Sequence, residues 1–105
     1  MSASPTQRSL SHLRGLGYVC WIVEHWNHFT RRRQDLFGAW DILALREGEV
    51  LFVQTTSGSN VSARIRKIAD NEYTPTIRKA GVRLEVHGWR KGANGRWALR
   101  TVDVS

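Results

Sequence analysis

With 105 residues, one cysteine, 41% apolar and 24% charged side chains, the chain has the composition of one globular domain, 1–105, rather than of a disordered tail. No uninterrupted apolar run is long enough for a membrane-spanning helix, and Cys20 alone builds neither an internal disulfide nor a four-ligand zinc site. Sixteen basic residues against nine acidic give a net charge of +7, so the expected partner is a polyanion, nucleic acid above all.

The opening Met1–Arg8 lacks the basic-then-apolar order of a secretory signal, so a reducing, cytoplasmic setting is expected. Ser4 is placed to cap a helix, with Pro5 at its first position and Gln7 at the capping-box spacing. Leu10 and Leu13 give that helix an apolar side, and Gly15 and Gly17 end it. Tyr18–Glu24 is rich in β-branched and aromatic residues and reads as a strand. Residues 27–36 are polar, contain Arg31-Arg32-Arg33, and read as an exposed turn or loop between strands.

Phe37–Leu45 reads as a second strand, Glu47-Gly48 as a tight turn, and Val50–Val53 as a buried third strand. After Ser57–Asn60 the period changes. Val61, Ile65, Ile68 and Ala69 share one face of a helix, with Arg64 and Lys67 along its edge, placed to reach one phosphate. Pro75 bars continuation of that helix. Val82–Trp89 and Trp97–Val104 both alternate and are joined by the hairpin loop Arg90–Gly95. The predicted order is α-β-β-β-α-β-β, an α/β or α+β fold with a central mixed sheet.

Charge is placed unevenly along this order. Residues 1–35 carry five basic and two acidic groups, residues 36–60 one and three, and residues 61–105 ten and four. An acidic island between basic flanks suits metal-dependent chemistry on a phosphodiester, with carboxylates for the metal and cations for the phosphates. Within the island Asp41 stands among hydrophobes, where a carboxylate is costly unless paired, hydrogen-bonded or bound to metal. Gln54 ends the next apolar strand, and a tight hairpin would set the two side by side. The plain alternatives are a carboxylate satisfied by backbone donors and a glutamine that ends a strand.

Three stretches carry a family resemblance. Gln7-Arg8 with Leu10, Leu13 and Gly17-Tyr18, then Trp40-Asp41-Ile-Leu-Ala-Leu45, then Gly48-Glu-Val-Leu-Phe-Val-Gln54-Thr-Thr56 resemble the first helix, the Asp strand and the Glu-x-Lys strand of the PD-(D/E)XK nuclease superfamily. Within it they are most like archaeal-type Holliday junction resolvases and compact phage nucleases. The resemblance covers roughly residues 5–70. It implies a restriction-endonuclease-like fold and a Mg²⁺- or Mn²⁺-dependent endonuclease that hydrolyses DNA, including branched or non-duplex DNA. It also implies a homodimer, because cutting both strands of a symmetric junction takes two sites.

In that reading Asp41 is the central metal ligand, Gln54 the second, and Glu24 and Asp35 further ligands or water-positioning groups. The chain departs from the motif at Gln54 and Gln7, where the family has glutamate, at Thr56, where it has lysine, and at Trp40, where it has proline. Lys67 and Arg64 are the candidates to supply the missing positive charge, and Arg31, Arg32, Arg33, Arg64 and Lys67 to bind DNA phosphates. A catalytically silent nucleic-acid-binding module of the same fold is the alternative, and a basic interaction protein for an acidic partner a third. His25 and His28 have no further zinc ligand nearby. Trp21, Trp40 and Trp89 are expected in the core, Trp26 and Trp97 are free to stack on bases, and Cys20 is expected to be inert packing.

Overall fold

The Ser4 hydroxyl accepts a hydrogen bond from the Gln7 N–H (3.1 Å) and starts helix α1, Pro5–Gly15, with Pro5 in its first turn. The computed structural model describes residues 3–105; Met1 and Ser2, which begin the segment read for a signal, lie outside the described residues. Strand β1, Val19–Ile22, follows, then a small hairpin of β2, His25–Asn27, and β3, Arg32–Gln34. Strands β4, Ile42–Arg46, and β5, Glu49–Ser57, come next. A 3₁₀ turn, Gly58–Asn60, leads into α2, Val61–Asp70, and then α3, Thr74–Lys79. The chain closes with β6, Arg83–Lys91, and β7, Trp97–Asp103.

Five strands form one mixed sheet in the order β1-β4-β5-β6-β7. Only β5 and β6 run parallel, and α2 with α3 supplies the crossover that a parallel pair requires. Alternation along β5 feeds two cores. Leu51 and Val53 join Ile42 and Ala44 under Leu10 and Leu13 of α1. Phe52 joins Trp40, Leu84 and Val86 against Val61, Ile68 and Ile77 of the two later helices. The continuous apolar run of β5 thus marks a strand covered on both faces.

The structure corrects four expectations. Residues 27–36 are not a plain loop, because Asn27 Oδ1 accepts from the Phe29 and Thr30 N–H groups (2.9 and 3.2 Å) and closes a β2–β3 hairpin. The strand read over 37–45 begins only at Ile42, since Phe37 and Gly38 take positive φ (52° and 75°) and turn the chain. Pro75 does more than stop α2, because it stands in the first turn of α3. Trp21 is 72% exposed on the edge strand β1, whereas Trp40 is fully buried and Trp89 half-buried. Cys20 is buried as expected, and burial pushes its thiol pKa up, away from reactivity.

Gly88 of β6 carries a constraint that no sequence pattern announced. A Cβ there would collide with Val61 Cγ2 and stand 3.4 Å from the Gly58 Cα. Gly88→Ala is therefore expected to lower stability by about 1–3 kcal/mol through overpacking of α2 on the sheet. Urea unfolding checks this, and an unchanged midpoint would mean that α2 gives way freely.

Candidate active site

The site begins with the β4–β5 turn. Arg46 pairs with Glu49 across Glu47-Gly48, with Gly48 at φ 72°, and the register carries back to Ile42 opposite Val53. Asp41 therefore meets Gln54 at the mouth of β4. The Asp41 N–H donates to the Val53 carbonyl and its own carbonyl accepts from the Val23 N–H, both at 2.9 Å, so its backbone is fixed from two sides. Its side chain is 4% exposed. Oδ2 accepts from Gln54 Nε2 (2.9 Å), the Thr55 N–H (2.8 Å) and Thr55 Oγ1 (3.1 Å). Among the described residues no donor is engaged by Oδ1.

Pairing of His25 with Gln34 brings the two ends of the β2–β3 hairpin together, and Glu24 and Asp35 flank those ends. One carboxylate oxygen each from Glu24, Asp35 and Asp41 lie within 4.8 Å of one another. They open into a cleft of about 410 Å³ that Gln54 and Thr55 also line. Thr6 of α1 borders it, its hydroxyl 2.8 Å from that of Thr55, and Arg64 of α2 borders it as well. Two buried oxygens, Gln54 Oε1 and Asp35 Oδ1, have no hydrogen-bond partner among the described residues. An unmet buried acceptor costs about 1–3 kcal/mol, so both oxygens favour a bound water or cation.

Electrostatics follow from this enclosure. Burial pushes the Asp41 carboxyl up to about 6, the Thr55 backbone bond opposes the rise, and Glu24 and Asp35 add to it as like charges. Asp35 is also raised, by burial first, with Lys67 the leading counterweight. Glu24 meets Arg33 at 3.5 Å, but Arg33 is largely exposed and the pair contributes little stability.

Of the residues expected in the site, Asp41, Gln54, Glu24 and Asp35 come together, and Arg33 and Arg64 line the same cleft. Lys67 lies one turn beyond Arg64 on α2, exposed, and close enough to act on Asp35. Arg31 and Arg32 stand exposed on the hairpin, as do His25 and His28, outside the carboxylate group. Thr56 is buried, lies level with Gly88 on β6, and does not line the cleft. Gln7 is exposed and its place facing the site is taken by Thr6. Thr55 and Thr6 escaped the sequence reading. The available signal was Gln54-Thr55-Thr56 itself, three buried polar residues in succession.

A second polar cluster lies apart from the cleft. The Trp89 indole N–H donates to Ser9 Oγ (2.8 Å), which lies 2.9 Å from His87 Nδ1, and His87 Nε2 lies 3.0 Å from Glu85 Oε1. The Glu85 carboxylate only accepts, so Nε2 carries a proton toward it, and in the neutral ring Nδ1 is then the acceptor for the Ser9 hydroxyl, whose oxygen takes the indole N–H. The Ser-His-Glu order resembles a nucleophile chain, yet Ser9 and His87 are wholly enclosed and the indole occupies the serine oxygen. It acts as a clamp between α1 and β6. Ser9→Ala strands the indole N–H and Nδ1, with an expected loss of about 1–3 kcal/mol. Thermal unfolding reads this loss, and an unaltered Tm would show that water replaces the hydroxyl.

Comparison with protein-family models, with curated protein sequences and with solved structures finds no match to this chain.

Proposed function

We propose that this chain is a metal-dependent endonuclease of restriction-endonuclease-like fold that hydrolyses DNA phosphodiester bonds. The observation that carries the reading is the convergence of three carboxylates on one cleft beside the buried, partnerless amide oxygen of Gln54. All four groups offer hard oxygen donors, a set suited to Mg²⁺ or Mn²⁺ rather than to thiolate- or imidazole-seeking metals. The chain order of the main sheet's strands and helices, once the β2–β3 hairpin and α3 are set aside, is the predicted α-β-β-β-α-β-β, whose first five elements are those of the resemblance.

Asp41, Gln54, Glu24 and Asp35 would hold the cation. Bound there, Mg²⁺ or Mn²⁺ supplies Lewis-acid stabilisation of the phosphate and a more acidic water. The protein's part is positional. Thr55 fixes Asp41 Oδ2 through its N–H and hydroxyl, so Oδ1 faces one direction. Gln54 donates to the same oxygen, which leaves its amide oxygen for a ligand. Arg64 and Arg33 border the cleft and Lys67 stands one turn beyond Arg64, so a phosphate at the carboxylates would meet cations that Thr56 does not supply. Cutting both strands of a symmetric substrate would take two copies of the site, hence a homodimer, and the chain would work in a cytoplasmic setting.

A second reading rests on Thr56. With no cation at that position and Glu24 already paired to Arg33, the fold could bind DNA without cutting it. Labelled single-stranded, duplex, flap and four-way DNA, incubated with Mg²⁺, Mn²⁺ or EDTA, separates the two. Cleavage that needs metal supports the nuclease. Tight, salt-sensitive binding with no cleavage in either metal supports the silent module.

A further inference from the structure

We infer that the β2–β3 hairpin is a binding element for unpaired nucleotides, and that it directs the cleft toward single-stranded or branch-point DNA. The inference takes the Proposed function as its frame and names the class of substrate. The hairpin is a two-stranded sheet separate from the main one, and Glu24 and Asp35 flank its base, so a strand held along it runs toward the carboxylates. At its tip Phe29 is 100% exposed, and Trp26 on β2 is 52% exposed. Trp26 stands directly opposite Arg33, on the same face of the hairpin, and Arg33 lines the cleft. Arg31 and Arg32 are exposed along the returning half.

Two large aromatics in water beside three guanidinium groups fit one occupant best. An apolar protein surface would cover Phe29 but would strip water from the arginines without pairing them. Nucleic acid satisfies both, with phosphates for Arg31, Arg32 and Arg33 and base faces for Phe29 and Trp26. Intact duplex presents its phosphates but hides its base faces in the stack. Only unpaired, frayed or splayed bases offer the flat surface that the aromatics need. The hairpin thereby adds a preference that the cleft alone does not contain.

The test measures binding in EDTA, so that cutting plays no part. Fluorescence anisotropy compares a labelled single strand, a blunt duplex of the same sequence and a four-way junction, on the wild type and on Phe29→Ala, Trp26→Ala and Arg32→Ala. Loss of stacking is expected to weaken single-strand binding by about 5- to 100-fold in each aromatic variant, with duplex binding unchanged. Arg32→Ala is expected to weaken every form alike and to reduce the salt slope by about one. Phe29 is wholly exposed, so its replacement leaves the cores untouched; circular dichroism confirms folding.

Equal loss on duplex and single strand, or no loss on either, overturns the inference. So does tighter binding of the wild type to anionic phospholipid vesicles than to any DNA. Failure of the nuclease reading looks different: the preference for unpaired DNA and its dependence on Phe29 persist, but no metal supports cleavage. Absence of DNA binding altogether overturns both.

Discussion

Asp41→Ala is expected to lower Mg²⁺- or Mn²⁺-dependent DNA cleavage by at least about a hundredfold, since loss of an outer-sphere partner alone costs 10- to 100-fold and Asp41 would touch the cation itself. DNA binding in EDTA should be unchanged or tighter, because the variant removes one negative charge facing phosphates. Alanine also strands the Thr55 N–H and leaves Gln54 Nε2 only the Thr55 carbonyl, since both groups now donate to Oδ2. Asp41→Asn is therefore the necessary companion. Its amide oxygen keeps an acceptor for Thr55 while removing the charge that a divalent cation needs. Both variants should lose cleavage, and only the alanine variant should lose stability from the stranded donors. Retained cleavage in the asparagine variant would remove Asp41 from the proposed role.

The second large effect concerns pH and the metal-free protein. The Asp41 carboxyl sits at about 6 in the fold, against about 4 in an unfolded chain, so the native state binds the extra proton between those values. A raised carboxyl stabilises the fold fully below pH about 4, and that contribution is lost as pH rises through about 6. The difference of about two units corresponds to roughly 3 kcal/mol of destabilisation above pH 7. Asp41→Asn, with no charge to bury, is expected to be more stable than the metal-free wild type at pH 7.5 by about 2–3 kcal/mol, and no more stable below pH 4. Denaturant unfolding at the two pH values measures this. Equal stability at pH 7.5 would mean that the Asp41 charge is already well solvated.

Glu49 titrates with the opposite sign. The Tyr18 hydroxyl and Arg46 hold its carboxyl down to about 2, so its contribution is present above the usual carboxylate range and disappears as pH falls through about 2. The neutral-pH penalty thus belongs to the cleft carboxylates, and a bound divalent cation would relieve it. Greater stability of Asp41→Asn at pH 7.5 would fit a functional rather than a structural carboxylate.

Much of the fold was legible because local chemistry and burial agree. Ser4-Pro5 marks the start of α1, the apolar run of β5 marks a doubly covered strand, and the 3.6-residue period from Val61 marks α2. The juxtaposition of Asp41 and Gln54 was legible for a similar reason, since a two-residue turn at Glu47-Gly48 fixes the register. The hairpin was not, because its strands have three residues each and the Asn27 side chain, not an apolar period, organises its turn. Thr55 was hidden because it acts largely through a backbone N–H, which every residue carries. Thr56 drew attention by its motif spacing, yet it is buried level with Gly88 and does not line the cleft. Trp21 reads as core by composition but lies on an edge strand face that no described helix covers.

The most direct test of the central claim is a calorimetric titration of Mn²⁺ into the metal-free protein at pH 7.5, beside Asp41→Ala. The arrangement of Glu24, Asp35, Asp41 and Gln54 predicts saturable binding by the wild type, abolished in the variant. Absence of binding, or equal binding by both proteins, would contradict a metal centre at this cleft.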